Sequence, residues 1–502
     1  MAENLADLAG GFATALTPIN LLWVFLGALL GTAVGVLPGL GSSMAVALLL
    51  PVTLALDPTG ALIMLAGVYY GGLFGDSITG ILLNTPGNSS AIAATFEGHR
   101  MALDGRAAQA LATSAIGAFV GGLIATTVVA LGAPAFADLV SAFGPEEFFA
   151  LTVFAFVATA FVVADSVLKG LAALVIGFTV GLVGIDLQTG TVRYTLGVPQ
   201  LFDGVGIVVI TVGLLALGEV LHVASRSKHA SGDRLVAVQG RPFLSRAEFR
   251  EALPAWLRGT AFGVPFGVIP VGGSEVPTFL SYGTERRLDS RLRVPKFGRG
   301  AIRGVAGPEA AGNATAGTAM GALLALGLPT SATAAVLLGA FEQFGIPPGP
   351  LLFEREGDLV WALIASLFIG LFVLVVLNLP FAPLWARLLK ISRQYLYAGI
   401  TVFAGLGIYA TAGSAVDLAL LLGLGLLGFL MRRHDVPLAP VLIAVILGPL
   451  AETNLRRSLA ISEGDVTTLV STPITVVIYA LLVVAVVLAV VGKIRRRRSA
   501  DV

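Results

Sequence analysis

Residues 75–95 hold Asp76, Ser77, Thr79, Asn84, Thr85, Asn88, Ser89 and Ser90 between long apolar runs, with Pro86 and Gly87 at their centre. In lipid, a backbone break of this kind frees N–H and C=O groups that only protein or a water-lined cavity can satisfy. Asn88, Ser89 and Ser90 are good helix N-caps, and the following Ala-Ile-Ala-Ala can restart a helix. A helix N-terminus with free N–H groups beside short hydroxyl side chains receives a carboxylate or phosphate. The plainer alternative is a Pro-kinked helix whose hydroxyls cap their own backbone.

Three other polar breaks interrupt apolar runs, at 38–43, 270–275 and 328–333. The candidate substrate contacts are Gly41, Ser42, Ser43, Asn84, Thr85, Pro86, Gly87, Asn88, Ser89, Ser90, Gly273, Ser274, Pro329, Thr330, Ser331 and Thr333. Of these, Asn88, Ser89 and Ser90 are expected to face Thr330, Ser331 and Thr333 around the substrate. Acids inside apolar runs are costly and read as functional. Asp76 and Glu309, with Asn313 close by, are the candidates for Na⁺ or proton coupling. Glu275 comes next but could lie at a membrane surface, and Asp165 and Glu219 sit near predicted cytoplasmic helix ends.

Other chemistries find little support. There is no cysteine, and the four histidines (His99, His222, His229, His434) lie in or beside polar loops, so no metal site or cofactor is expected. Gly39-Leu40-Gly41-Ser42 lacks the lysine and spacing of a phosphate-binding loop. Gly75-Asp76-Ser77 looks like the nucleophile turn of some serine hydrolases, but no histidine falls in a predicted crossing to serve as its base. An intramembrane serine hydrolase is the rival from the enzyme class; the residues favour a protein that is not an enzyme. A passive channel is the rival within transport.

Around these residues the chain is strongly apolar: only 12% of the 502 residues are charged and 56% are hydrophobic, with a mean hydropathy of +0.91. Soluble domains carry roughly a quarter charged residues. The chain reads as an all-helical, polytopic membrane protein in the lipid bilayer, with no feature for nucleic acid. The first Lys or Arg is Arg100, so the N-terminus does not have the pattern of a cleaved signal peptide. Small residues at four-residue spacing (Gly27/Gly31/Gly35, Gly117/Gly121, Gly177/Gly181, Gly317/Gly321) point to close helix packing.

Basic loops orient the chain, because short cytoplasmic loops are rich in Lys and Arg. Apolar runs at 21–37 and 42–56 form a hairpin that starts and ends outside. Residues 61–98 make a broken crossing that ends inside at His99, Arg100 and Arg106. Crossings at about 108–132, 147–164, 170–186 and 204–223 follow, and then a long basic cytoplasmic loop. The second half opens with an echo of the first: Gly35-Val36-Leu37-Pro38-Gly39-Leu40-Gly41-Ser42 returns as Gly267-Val268-Ile269-Pro270-Val271-Gly272-Gly273-Ser274 (267 − 35 = 232). Leu328-Pro329-Thr330-Ser331-Ala332-Thr333 echoes Thr85-Pro86-Gly87-Asn88-Ser89-Ser90 in the same grammar. The basic loops reverse sides between the halves: Asp57 and Ile346 fall outside, Arg106 and Arg291 inside. Crossings near 359–379, 395–411, 416–431 and 436–450 complete the second half, and a helix near 472–492 ends in a basic cytoplasmic tail.

The expected architecture is therefore two inverted-topology repeats (1–225 and 255–455), each a hairpin, a broken crossing and four crossings. A cytoplasmic linker (226–254) joins them, and a C-terminal helix and tail (456–502) follow. Inverted repeats with discontinuous segments at matching positions are the hallmark of secondary transporters, with substrate near the midplane.

The chain resembles the large membrane subunit of the tripartite tricarboxylate transporter family. The resemblance rests on Gly35–Ser43 followed by Leu48-Leu49-Leu50-Pro51, on Tyr69-Tyr70-Gly71-Gly72, on Asn84-Thr85-Pro86-Gly87, and on Gly327-Leu328-Pro329-Thr330-Ser331-Ala332-Thr333. It covers nearly the whole chain, and the motifs are specific together rather than singly. It implies a bacterial inner-membrane permease for citrate or related small carboxylates, driven by an ion gradient. It also implies two partners, a small membrane subunit and a periplasmic substrate-binding protein. Transporters built from paired hairpins commonly use an elevator motion, which is the expectation here. The runner-up within transport is a permease for another small organic anion.

Overall fold

The computed structural model describes residues 2–141, 143–162, 166–186, 188–226, 235–238, 240, 242–269, 273–292, 294–349, 351–391 and 393–500. The described chain is almost wholly helical, and seven of its helices are long and apolar enough to cross a bilayer, which makes it a multi-pass membrane protein.

Helix α1 (Ala2–Ala15) leads to α2 (Pro18–Gly35), which starts on a proline whose missing N–H costs nothing there. After the turn at Pro38–Gly41 come α3 (Ser42–Thr53) and α4 (Pro58–Leu83); the Asp57 carboxylate caps α4 by accepting from Gly60 N–H at 2.9 Å. Asn84, left-handed at φ 56°, ends α4, and a 3₁₀ turn (Ser89–Ala91) leads into α5 (Ile92–Met101). The chain folds back at Ala102–Arg106, where Gly105 supplies a positive φ of 77°, into α6 (Ala107–Ser141). Then follow α7 (Pro145–Val162), α8 (Val167–Gly181) and a small antiparallel hairpin, β1 (Gly184–Ile185) and β2 (Val192–Arg193), with Gly184 opposite Arg193. Helices α9 (Ile207–Thr211) and α10 (Gly218–Arg226) are joined through a π-helical stretch, Val212–Leu217.

The second half begins with α11 (Arg246–Val268), whose capping box pairs the Ser245 side chain with Glu248 N–H and Glu248 with Ser245 N–H. Next are α12 (Glu275–Asp289), α13 (Arg303–Leu326) ending at Gly327 (φ 66°), and α14 (Ala332–Gln343) with Ser331 as N-cap. The remainder is α15 (Leu352–Arg355), α16 (Gly357–Asn378), α17 (Ala382–Leu388), α18 (Arg393–Ala412), α19 (Ala415–Arg433), α20 (Ala439–Ile461) and α21 (Pro473–Ala500).

Two glycine seams set the frame. Gly27, Gly31 and Gly35 of α2 lie against the carbonyls of Met64, Val68 and Gly72 of α4, so closely that a Cβ would come within 2.2–2.4 Å. Gly259, Gly263 and Gly267 of α11 lie in the same way on Gly307, Ala311 and Thr315 of α13, at 2.1–2.3 Å. The first helices of the two seams are offset by 232 residues (259 − 27), the second by 243 (307 − 64). Without a hydrophobic drive between helices in lipid, such backbone approach is what gives the contact its dispersion energy. The halves also interlock: α6 packs along α13, with Gly121 on Ala310, and α16 packs along α4. Trp256 of α11 is fully buried above Gly117, and its indole N–H donates to Thr113 O at 3.2 Å. α4 and α13 are buried along nearly all their length.

Several elements depart from the sequence reading. The N-terminal α1 has no counterpart in the expected crossings; it packs on α16. α6 runs beyond 132 to Ser141, and α20 runs to Ile461 rather than stopping near 450. Its last turns carry Glu452 and Arg456, which stay helical because they pair with Arg193 and Asp186 of the β1–β2 segment. α11 begins at Arg246, inside the span expected as linker, because the capping box starts the helix there. Asp165 and Pro270–Gly272 lie outside the described residues.

Candidate functional site

The four polar breaks converge. Ser42, Ser43, Asn88, Ser90, Gly273, Ser274, Thr330, Ser331 and Thr333 all line one cavity of ≈ 110 Å³. Each comes from the start of a helix: Ser42 and Ser43 open α3 and Ser274 N-caps α12, while Asn88 and Ser90 lead into α5 and Ser331 N-caps α14. Each helix N-terminus presents unsatisfied N–H groups equivalent to roughly half a positive charge. Four such ends face a cavity whose described lining contains no Lys or Arg and one acid, Glu275. An arrangement of neutral donors of this kind has the chemistry to hold an anion.

Contacts across the halves close it. Ser42 Oγ and Thr333 Oγ1 lie 3.0 Å apart, both buried. Tyr69 of α4 hydrogen-bonds to the Ser331 side chain, whose oxygen also accepts from Ala334 N–H at 3.2 Å. Thr330 Oγ1 is buried without a hydrogen-bond partner among the described residues, and the Asn88 amide, besides facing the cavity, reaches the Asp76 carboxylate. An orphan such as Thr330 Oγ1 is rare in native proteins and marks a place for a ligand or water.

Other sequence candidates support the site or lie away from it. Gly41 meets the break directly, since a Cβ there would stand 2.5 Å from Asn88 Oδ1. Gly87 packs under the Leu40 carbonyl, and Pro86 lies beside Gly80. Thr85 Oγ1 is buried without a partner among the described residues, and Pro329 is buried before α14. Asn84 faces a different cavity. The Ser89 side chain lies outside what the structure describes.

The three ion-coupling candidates fall in two places. Asp76 is 1% exposed; its Oδ1 accepts from Gly87 N–H and its Oδ2 from Asn88 N–H at 2.9 Å. It holds the break and occupies donors that the sequence reading assigns to substrate. Glu309 accepts from the Ser77 hydroxyl at 2.7 and 2.9 Å and also from Ser114, linking α13 to α4 and α6. Asn313 Nδ2 donates to Glu309 O at 3.1 Å, leaving its Oδ1 buried without a partner among the described residues. Among the described residues no group of His, Asp and Glu is arranged to hold a metal ion.

Sequence reasoning missed Tyr69, Thr159 and Thr315 as cavity residues. Lone hydroxyls inside apolar helices carry no pattern that separates a lining residue from a packing one. Glu275, ranked below Asp76 and Glu309, is the acid at the cavity.

A multi-pass helical protein in which interrupted segments from both halves enclose one polar cavity has the build of a membrane transport protein. Its sequence profile supports this class: residues 21–443 match the Tripartite tricarboxylate transporter TctA family. The chain belongs to that family, the large membrane subunits of tripartite transporters. It is 42% identical over 501 residues, 99% of both chains, to an Agrobacterium vitis protein described as "Uncharacterized 52.8 kDa protein in TAR-I ttuC' 3'region". A second Agrobacterium vitis protein, "Uncharacterized protein in TAR-II ttuC' 3'region", is 41% identical over 237 residues, 47% of this chain and 97% of its own. No solved structure matches.

Proposed function

We propose that the protein imports tricarboxylates or related small carboxylates across the bacterial inner membrane, driven by a Na⁺ or proton gradient. The observation that carries this is the cavity itself, where four helix N-termini and a ring of hydroxyls meet with no basic side chain among the described lining residues. Neutral donors hold a carboxylate through charge-assisted hydrogen bonds yet release it more readily than an arginine clamp. The reading includes an inverted repeat, in which the 232- and 243-residue offsets relate α2–α5 to α11–α14, and an elevator-type movement of these elements against the remaining helices. Partners are a small membrane subunit and a periplasmic protein that delivers substrate.

Coupling is assigned to Glu309, whose buried carboxylate accepts from Ser77 and is suited to a proton or Na⁺, with Asn313 one helical turn away bonded to the Glu309 carbonyl. Asp76 serves coupling indirectly by fixing the break. The hydrolase alternative loses ground because the Ser77 hydroxyl donates to Glu309, a carboxylate shared across the two halves, rather than to an imidazole.

The test is reconstitution of the chain with both partner proteins in liposomes, with uptake of labelled citrate under an imposed Na⁺ or proton gradient. Accumulation above the external concentration, abolished by an ionophore, supports the reading. Equilibration without accumulation would mean a channel, and no carboxylate movement would overturn the assignment.

A further inference from the structure

A second cavity, of ≈ 570 Å³, lies across the 84–91 break from the first. Asn84 lines this one while Asn88 and Ser90 line the polar cavity, so a few residues of interrupted helix separate the two. α12 runs past both. Ser274 and Glu275 stand at the polar cavity, and Tyr282 and Arg286 at the second, about 10–16 Å further along at 1.5 Å per residue.

Its chemistry is the reverse of the first cavity's. Arg100, Arg286 and His99 supply basic groups, and Phe96, Tyr282 and Phe297 supply an aromatic wall, with ring centroids 5.4 Å (Phe96–Tyr282) and 5.3 Å (Tyr282–Phe297) apart. The one acid in the lining, Glu97, is 1% exposed and committed within the protein. It accepts from the N–H groups of Gly298 (2.7 Å), Gly300 (2.9 Å) and Ala301 (2.9 Å) and from the Tyr282 hydroxyl (3.3 Å). Its carboxylate is therefore held by the loop's N–H groups and is not ion-paired with the arginines. Arg100 and Arg286 form no ion pair among the described residues; Arg100 donates only to the Gly298 carbonyl. Two guanidiniums are left facing an open cavity without a direct ion pair among the described residues, and they outnumber its one loop-held carboxylate.

We propose that this basic cavity is a second, weaker anion site for small polycarboxylates, on the cytoplasmic side of the break, where the substrate rests after leaving the polar cavity. Arginine forks match carboxylates bidentately, while exposure and salt screening keep the affinity low enough for release. The side of the membrane and the carboxylate class rest on the transport reading above; the site's positive potential does not.

The test uses the full-length chain with Leu103→Cys, a position on the cavity lining that is 64% exposed in a protein without native cysteine. Negatively and positively charged methanethiosulfonates are compared, with citrate or inorganic phosphate at equal ionic strength as protectant. The anionic reagent should react roughly tenfold faster than the cationic one after correction for intrinsic reactivity, and citrate should protect more than phosphate does. Arg100→Gln with Arg286→Gln should abolish both effects, whereas Ser42→Ala with Thr333→Ala should leave both intact. That last pair separates the two sites: loss of citrate binding in the polar cavity alone leaves the protection of the introduced thiol standing. The proposal fails if there is no charge preference, if preference or protection survives loss of both arginines, or if phosphate protects as well as citrate.

Discussion

Replacing Asp76 by Asn tests whether this acid carries the ion or positions the break. The carboxylate, 1% exposed, receives the N–H groups of both Gly87 and Asn88. An amide has one oxygen and turns its NH₂ toward the second N–H. One charge-assisted bond is then lost, worth roughly 1.5–3 kcal/mol, and the survivor weakens by roughly 1 kcal/mol on becoming neutral. Burying a neutral amide in place of a carboxylate returns part of this. A net cost of about 2–3 kcal/mol to the ordered break remains. Asn88 and Ser90 reach the cavity only through that segment, so citrate affinity should fall by up to roughly thirty- to a hundred-and-fiftyfold. The assay is direct citrate binding to the purified chain at a series of Na⁺ concentrations and pH values, beside Glu309→Gln. Asp76→Asn should weaken binding at every ion concentration without moving the ion half-saturation point, and Glu309→Gln should move it. Wild-type affinity in Asp76→Asn, or an ion shift as large as that of Glu309→Gln, would refute the positioning role.

Glu275→Gln removes the one acid from the described cavity lining; relief of repulsion worth about 1–2 kcal/mol at an effective dielectric near 20 should tighten citrate binding roughly five- to thirtyfold, read by the same binding assay. The Ser42–Thr333 pair should show a coupling of about 0.5–1.5 kcal/mol in a double-mutant cycle of thermal unfolding with Ala at each position; strict additivity would mean the two hydroxyls do not bond. At the β1–β2 segment, the Thr189 hydroxyl, followed by Gln188 N–H, Arg456 and Arg193, holds the Asp186 carboxyl well below the usual carboxylate range. A carboxyl so depressed stabilises the segment above its ordinary pKa and ceases to do so only as pH falls through the depressed value. Protection of residues 188–193 from protease should therefore stay flat from neutrality to about pH 4 and fail below it, and Arg456→Ala should move the failure upward.

The helical architecture, the four breaks and most of their cavity residues were legible because lipid forbids an unsatisfied break, so Pro-Gly interruptions with clustered hydroxyls stand out. Helix lengths were less legible. The charged end of α20 reads as loop until Arg193 and Asp186 are seen to pair with Glu452 and Arg456. α1 has no basic flank and modest hydrophobicity, and its helical state rests on packing against α16, which no local pattern encodes. Asp76 and Glu309 read alike, as buried acids, because burial is legible in a sequence and partners are not. The backbone donors claimed by Asp76 come from a segment 11–12 residues away that curls back on it. The basic cavity has no sequence signature of its own, because Arg100 and Arg286 look like any other inward-facing loop charges.

The internal spacing explains why these two acids differ. Under the 243-residue offset that relates α4 to α13, Asn84 corresponds to Gly327, and these are the left-handed residues that end the two helices. The same offset carries Asp76 onto Ala319 and Glu309 onto Ala66, both buried and neither polar. The hydroxyls behave otherwise. Thr333 corresponds to Ser90, and the 232-residue offset of the hairpins carries Ser42 onto Ser274; all four line the one cavity. The donors are thus present in pairs, while each acid is present once. A paired frame of neutral donors suits a ligand bearing several carboxylates, since each half can hold one. The two acids, by contrast, come one from each half at positions that do not correspond, and Asp76, next in the chain to Ser77, lies close enough to Glu309 for the two carboxyls to interact. The pairing of Ser77 with Glu309 places this carboxylate where the halves meet, so any relative movement of α4 and α13 must alter its hydrogen bonds.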